Sequence, residues 1–378
     1  MSNDLALYAH FPWCVRKCPY CDFNSHPLRP DVDFSTYARA LQQDWQEQRY
    51  VLNTQGLARA ITSVFLGGGT PSLFGPDYLA PVLEQLILTE QAEVTLEANP
   101  GTTEHHRFKD YRSIGINRLS LGAQSFNDRQ LTNLGRIHAA RDTYRAFEQA
   151  RHDGMDNINL DLMWGLPGQS VAEALDDLHC ALALKSEHIS WYQLTLEPKT
   201  EFYKRPPQLP VDSTLADIER HGHALLAEYG YQRYEVSAYA RDGYRCRHNL
   251  NYWSFGDYLG IGAGAHGKLS QRHNSGLDVW RTTKVSQPRR YLDDPLPIAR
   301  QNVDVPARPL EFMMNALRLV DGVAFDVFTD RTGLSWEYVA PTWQRLQDQG
   351  LVQADRCATT AFGLRFLDSV LAEFLRPD

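Results

Sequence analysis

Between residue 5 and about residue 200 the chain alternates short apolar runs with longer stretches whose apolar residues recur three and four positions apart. The runs read as strands buried on both faces, and the stretches as helices that cover them. Predicted strands are Leu5 to Phe11, Ile61 to Leu66, Glu93 to Ala98, Arg118 to Gly122, Asn157 to Met163 and His188 to Leu196. Between them Phe34, Tyr37, Leu41 and Trp45 share one helix face. Val171, Leu175, Leu178 and Leu182 share another, opened by the capping box Ser170-Val171-Ala172-Glu173. This alternation is the signature of βαβ units and a parallel α/β sheet, either open or curled into a barrel.

Beyond residue 200 the pattern changes. The proline-rich segment 204–210 precedes a predicted helix Ser213 to Glu228 and a strand Tyr231 to Tyr239, and prolines recur across 287–309, which reads as a linker. The remainder predicts helices Leu310 to Val320, Val323 to Thr332 and Ser335 to Gln349. A short strand pair, Leu351 to Ala354 and Cys357 to Thr360, and a closing helix, Phe362 to Leu375, complete the order of a winged-helix module. The expected organisation is therefore an α/β domain with a C-terminal extension over 1–286, a linker over 287–309 and a mainly helical, winged-helix-like unit over 310–378. A chain of 378 residues suits two units, because single cores seldom grow beyond about 250–300 residues.

Charge and cysteine usage narrow the function. The net charge of −8 argues against a nucleic-acid partner without excluding a local basic patch, so DNA binding by the terminal unit stays an alternative. No apolar run approaches the ~20 residues of a membrane span. Met1 to Asp4 passes directly into the first strand with no basic segment and no small-residue cleavage site, which points to a cytoplasmic, reducing location. Isolated Cys180 and Cys357 then read as small buried hydrophobes. The other thiols are where the chemistry begins.

Cys14-Val15-Arg16-Lys17-Cys18-Pro19-Tyr20-Cys21 sets three cysteines at C-x3-C-x2-C spacing just after the first strand. Three thiolates can each hold one iron of a cubane cluster, leaving the fourth iron without a protein ligand. A zinc site completed by His10 or His26 competes with that reading. One βα unit later comes Leu66-Gly67-Gly68-Gly69-Thr70-Pro71, a turn that lets a ligand approach the backbone and exposes N–H donors, although chain reversal alone also explains it. No Gly-Lys-Ser/Thr follows, so it is not a Walker phosphate loop. Glu97, Gln124 and Asp161 stand at or near the ends of successive strands, and Arg136 follows close behind. Each alone reads as a solvated loop residue or a helix cap; together they crowd the rim where α/β barrels keep their chemistry.

With the preceding Tyr8-Ala9-His10-Phe11-Pro12-Trp13, the cysteine loop resembles that of the radical S-adenosylmethionine (SAM) superfamily. The resemblance implies a partial (β/α)6 barrel and a 4Fe-4S cluster on Cys14, Cys18 and Cys21, whose open iron chelates the amino and carboxylate groups of SAM. It further implies SAM contacts from Tyr8, Tyr20, Gly68, Gly69, Thr70, Glu97, Gln124, Arg136 and Asp161, with Thr195 a looser match.

Cys21-Asp22-Phe23-Asn24-Ser25 is most similar to the heme-chaperone branch of the oxygen-independent coproporphyrinogen oxidase group. Phe23 stands where the oxidases carry a further cysteine, and the chain reaches its first strand by residue 5 without their N-terminal arm; both departures disfavour the oxidase reaction. Cys246-Arg247-His248-Asn249-Leu250-Asn251-Tyr252-Trp253 resembles the His-Asn-x-x-Tyr-Trp marker of the chaperone branch. His248 would offer an axial imidazole, and Tyr252 and Trp253 aromatic faces to a porphyrin; Cys246 and His266 are second-choice ligands. His266 could instead lie near SAM, and a His248 hydrogen-bonded within the fold is the competing reading. The resemblance implies delivery of heme to respiratory acceptor proteins with peripheral membrane contact; the alternative is a radical tetrapyrrole enzyme such as the oxidase itself.

Overall fold

The computed structural model describes residues 5–102, 107–274 and 276–375; residues 1–4, read above for a leader, lie outside that set. Leu5–Phe11 (β1) is buried throughout except at Tyr8, as expected of a strand covered on both faces. It pairs in parallel with Ile61–Gly68 (β2), and Leu88–Ala98 (β3), Arg118–Gln124 (β4), Ile158–Trp164 (β5) and His188–Gln193 (β6) follow in parallel register. All six expected strands are present.

The edges differ from expectation. Tyr231 to Tyr239, expected as one strand, is a hairpin of Gln232–Glu235 (β7) and Ala238–Ala240 (β8). The Glu235 carboxylate accepts from both the backbone N–H and the hydroxyl of Ser237 at 2.9 Å, which favours the chain reversing within two residues. On the opposite side of β1 lies a strand the hydrophobic pattern did not announce: Asp257–Ile261 (β9), parallel, with Leu5 opposite Asp257 and Ala9 opposite Ile261. Antiparallel His266–His273 (β10), Gly276–Lys284 (β11) and Ile298–Asn302 (β12) extend that edge. The twelve-stranded order is β12-β11-β10-β9-β1-β2-β3-β4-β5-β6-β8-β7. Its ends do not pair among the described residues, so the six-stranded partial barrel is present, widened by β9.

Helices cover the outer face as their apolar spacing predicts. Phe34–Thr54 is capped by Asp33, which accepts from the Ser35 N–H at 2.9 Å, and buries Tyr37, Leu41 and Trp45. Val171–Ala183 carries the predicted capping box, Ser170 N–H to Glu173 at 2.8 Å and the reverse bond at 3.3 Å. Helix Asp212–Glu228 lies against β6 with Gly222 on the buried Trp191 ring, where an added Cβ would meet Cη2 at 2.0 Å. Gly222→Ala is therefore expected to lower stability by about 1–3 kcal/mol, although alanine gains about 1 kcal/mol of helix propensity. Urea unfolding reads this; an unchanged midpoint would mean that the ring yields.

The stretch 287–309, expected as a linker, is woven into the fold. Its prolines stand at element ends: Pro288 opens helix Pro288–Asp293, whose Tyr291 is buried with its hydroxyl donating to Asp44 at 2.8 Å, and β12 follows. Proline at a first helical position removes no hydrogen bond. Helices Arg308–Ala316, Phe325–Thr332 and Ala340–Asp348 then build a second apolar core from Phe312, Met313, Phe328, Trp343 and Leu346, shared with Phe255, Leu277 and Val279 of the barrel side. Single bridges, Val323 to Cys357 and Val352 to Thr359, stand where a hairpin was expected. The closing helix breaks into Ala361–Leu364 and Leu367–Ala372.

Candidate cofactor site

Where β1 ends at Phe11 the chain enters the cysteine loop. Its base is closed by the two-residue parallel pair Trp13–Cys14 with His26–Pro27, by the His26 N–H on Pro12 O and by the Leu28 N–H on Cys14 O, both 2.7 Å. Cys14, Cys18 and Cys21, none in a disulfide, line one cavity of about 1040 Å³ at the carboxyl ends of the barrel strands.

The histidines that could complete a zinc site are engaged elsewhere. His10 has Nδ1 2.9 Å from the Tyr8 hydroxyl and Nε2 2.9 Å from Asn24 O, and His26 Nε2 lies 3.1 Å from Asn24 Oδ1. Among the described residues no group of three or more His, Cys, Asp or Glu is disposed to hold a single metal ion. Three thiols lining one cavity are compatible with a cluster that keeps one iron open. Burial pushes the Cys14 thiol up to about 11, partly opposed by a hydrogen bond from Thr70, and burial raises Cys21 as well. Loading metal on these thiols must therefore expel protons. Asn24 holds the loop in place by donating to Ala263 O and Ser286 O at 2.9 and 2.8 Å. Sequence reasoning missed Asn24 in this role and weighed His10 only as a metal ligand, because both act through contacts with distant segments.

The glycine turn behaves differently from its sequence reading. The Gly68 N–H donates to Glu97 Oε2 at 3.0 Å, Gly69 N–H to Phe11 O at 2.7 Å and Thr70 N–H to Trp13 O at 2.8 Å. These donors are consumed inside the fold rather than exposed. A Cβ on Gly69 would sit 2.5 Å from Trp13 O, so glycine is what lets the cysteine loop lie directly on the turn. A cationic ligand group needs acceptors, and Glu97 supplies one. Burial first, and then the neighbouring Asp161, push the Glu97 carboxyl up to about 8.

The remaining rim residues converge on the same cavity. Asp161 accepts from Ser120 Oγ and Asn159 Nδ2, both at 2.8 Å. Gln124 adopts φ 66°, a left-handed conformation rare outside glycine, and its Oε1 accepts from the Tyr192 hydroxyl at 2.8 Å. Strain of that kind gathers at functional sites. Arg136 donates to Gly122 O at 2.8 Å and lies 3.9 Å from Cys18 Sγ, while its Nε is buried without a partner. Tyr8, Tyr20 and Thr195 complete the lining.

Deeper in the cavity stands the histidine of helix Arg247–Trp253. His248 Nδ1 is 3.1 Å from Ser63 Oγ, its ring meets Tyr252 edge-on at 4.6 Å and Phe65 at 5.2 Å, and its Nε2 is buried with no hydrogen-bond partner. Burial, then the charge of Arg118, lower its pKa to about 3, so the imidazole is neutral. Trp253 also lines the cavity, with the Arg318 guanidinium 4.4 Å over its ring. His266 is exposed at the cavity edge, Nδ1 3.2 Å from Thr283 Oγ1. Cys246, named above as a second-choice ligand, is not in the lining. It is wholly buried, its Sγ 3.5 Å from Glu93 Oε1, because Glu93 draws the start of this helix inward.

Residues 8–181 match the radical SAM superfamily and residues 303–357 match the HemN C-terminal domain. The heme chaperone HemW of Haemophilus influenzae is 48% identical over 377 residues, and that of Escherichia coli 46% identical over 377, each alignment covering 98% of both chains. The chain belongs to the HemW family of radical SAM proteins. The chain is also similar to a mitochondrial radical S-adenosyl methionine domain-containing protein of Bos taurus, 35% identical over 399 residues, covering 99% of this chain and 88% of that one. Coproporphyrinogen III oxidase (HemN) from Escherichia coli shares the fold, with a TM-score of 0.78 at 20% identity over 98% of this chain and 90% of that one. Membership in a radical SAM family implies a 4Fe-4S cluster and SAM as cofactors.

Proposed function

We propose that this protein is a heme chaperone of the cytoplasm that binds heme in the barrel cavity and passes it to respiratory acceptor proteins. In this reading Cys14, Cys18 and Cys21 hold the 4Fe-4S cluster, which supplies an open iron able to chelate SAM. The SAM-facing groups are those at the rim: Glu97 accepts from a cationic or hydroxyl donor, and Arg136 offers paired donors to a carboxylate beside Cys18. No helix among the described residues is long and apolar enough to cross a membrane, so contact with membrane-bound acceptors would be peripheral.

The observation that carries the heme reading is His248. A buried, unsatisfied polar atom costs about 1–3 kcal/mol, and native folds rarely keep one without use. Here that atom is the Nε2 of a neutral imidazole, its ring held by the Ser63 hydroxyl on Nδ1, in the wall of the cavity that also holds the thiols. Such second-partner orientation is what a metal-ligating histidine requires. Tyr252, packed on it edge-to-face, is the aromatic neighbour a porphyrin would displace or stack upon. Hemin added to the purified full chain is expected to give a Soret band, with affinity at least about tenfold weaker in His248→Ala. An unaltered band and affinity in that variant would remove His248 from the site.

A further inference from the structure

The inner end of the cavity carries an arginine that no side chain among the described residues pairs directly, although the fields of Cys246, Glu93, Tyr234 and Asp161 favour its charged form. Arg118, Ser120, Gly122 and Gln124 form the inward row of β4. Gln124 ends that row at the rim, and Arg118 opens it roughly 20 Å deeper at the rise of a parallel strand. Arg118 is 2% exposed, yet its Nε has no hydrogen-bond partner and its guanidinium makes no ion pair among the described residues. The two carboxylates whose field reaches it are engaged elsewhere. Glu93 accepts the backbone N–H groups of Arg247 and His248, both at 3.1 Å, and Asp161 accepts from Ser120 and Asn159. Its titratable neighbours His248 and His188 are kept neutral by burial and by Arg118 itself, so they supply no counter-charge. A charge taken out of water without a partner is strongly disfavoured, and this one lines the same cavity as the unpartnered nitrogen of His248.

We propose that Arg118 anchors an anion subsite at the inner end of the cavity, taking a carboxylate of the tetrapyrrole whose iron His248 faces. This rests on the heme reading above. A metal ligand and a guanidinium lining the same cavity select a ligand carrying both iron and carboxylate, and the paired donors of arginine fit the latter.

The test titrates the full chain with hemin and with hemin dimethyl ester, which keeps the iron but masks both carboxylates. Wild-type protein is expected to bind hemin about ten- to hundredfold more tightly than the ester, the range of a charge-assisted hydrogen bond. Arg118→Gln is expected to erase that preference and Arg118→Lys to keep part of it. Equal wild-type affinity for the two porphyrins overturns the subsite without any variant, and a preference intact in Arg118→Gln overturns its assignment to Arg118. Loss of SAM binding in Arg118→Gln with porphyrin preference retained would place the methionyl carboxylate there instead and overturn the proposal. Failure of the wild type to bind either porphyrin would overturn the heme reading and the subsite with it, a result distinct from lost discrimination. Circular dichroism identifies a variant that does not fold, in which case the wild-type comparison decides.

Discussion

Replacing any one of Cys14, Cys18 or Cys21 by alanine is expected to abolish the iron-sulfur centre, so that anaerobically reconstituted protein loses its bound iron, its acid-labile sulfide and the broad visible absorption together. The argument is one of donor count. A cubane held at three corners and open at the fourth has no spare protein ligand, and the nearby imidazoles cannot substitute, since His10 uses both ring nitrogens on Tyr8 and Asn24 and His26 is bound to Asn24. SAM affinity should collapse in the same variants, because its amino and carboxylate groups would lose the iron that chelates them. Cys180→Ala and Cys357→Ala, remote from the loop, should keep both iron and SAM. Full iron and sulfide in a single-cysteine variant would mean that a fourth side chain ligates the cube, and the proposal of an open iron would then fail.

The parts of this architecture that were legible in the sequence are those written in local periodicity. β1 is buried on both faces and the six strands read as short, mainly apolar runs, and the covering helices announce themselves by apolar spacing and by caps such as Ser170 and Glu173. The cysteine loop is legible because metal chemistry fixes ligand spacing along the chain. What stayed hidden depends on contacts between distant segments. β9 is five residues long and runs straight into the glycines at 262 and 264, so it carries no period, and only its pairing with β1 makes it a strand. The linker reading of 287–309 followed from proline content, which does not distinguish a tether from prolines at element ends.

At the site the same division holds. Glu97, Gln124, Arg136 and Asp161 were found because barrel chemistry sits where strands end. The engagement of the glycine-turn N–H groups by Phe11, Trp13 and Glu97 could not be read locally, since each partner comes from another strand or its following loop. Cys246 shared a motif with His248 but is drawn away from the cavity by Glu93 of β3. Arg118 looked like the polar start of a strand; only its isolation inside the barrel gives it meaning.

Glu97→Gln is expected to stabilise the cluster-loaded, SAM-free protein, by an amount that grows with pH. In the folded chain burial and Asp161 hold this carboxyl at about 8, above the ordinary carboxylate range it returns to on unfolding. Between those two values the folded state keeps a proton that the unfolded state releases, so stability is fully present below the ordinary range and is lost as pH rises toward 8. The loss is on the order of a few kcal/mol for a half-buried carboxyl on the cavity wall. Glutamine, with no proton to lose, removes that slope. Thermal or urea midpoints of the two proteins from acid to mildly alkaline pH should converge at low pH and separate steadily above it; parallel profiles would show that Glu97 is not perturbed. SAM should reverse the order. Its positive sulfonium and donor groups favour the ionised carboxylate, so saturating SAM should raise the wild-type midpoint at pH 8 more than that of Glu97→Gln. A carboxyl that weakens the ligand-free fold above the ordinary carboxylate range and strengthens the liganded one is accounted for by binding, since packing alone would favour the amide wherever the acid tends to ionise. Equal stabilisation of both proteins by SAM would separate Glu97 from the ligand and leave it a half-buried acid held in place by the Gly68 N–H.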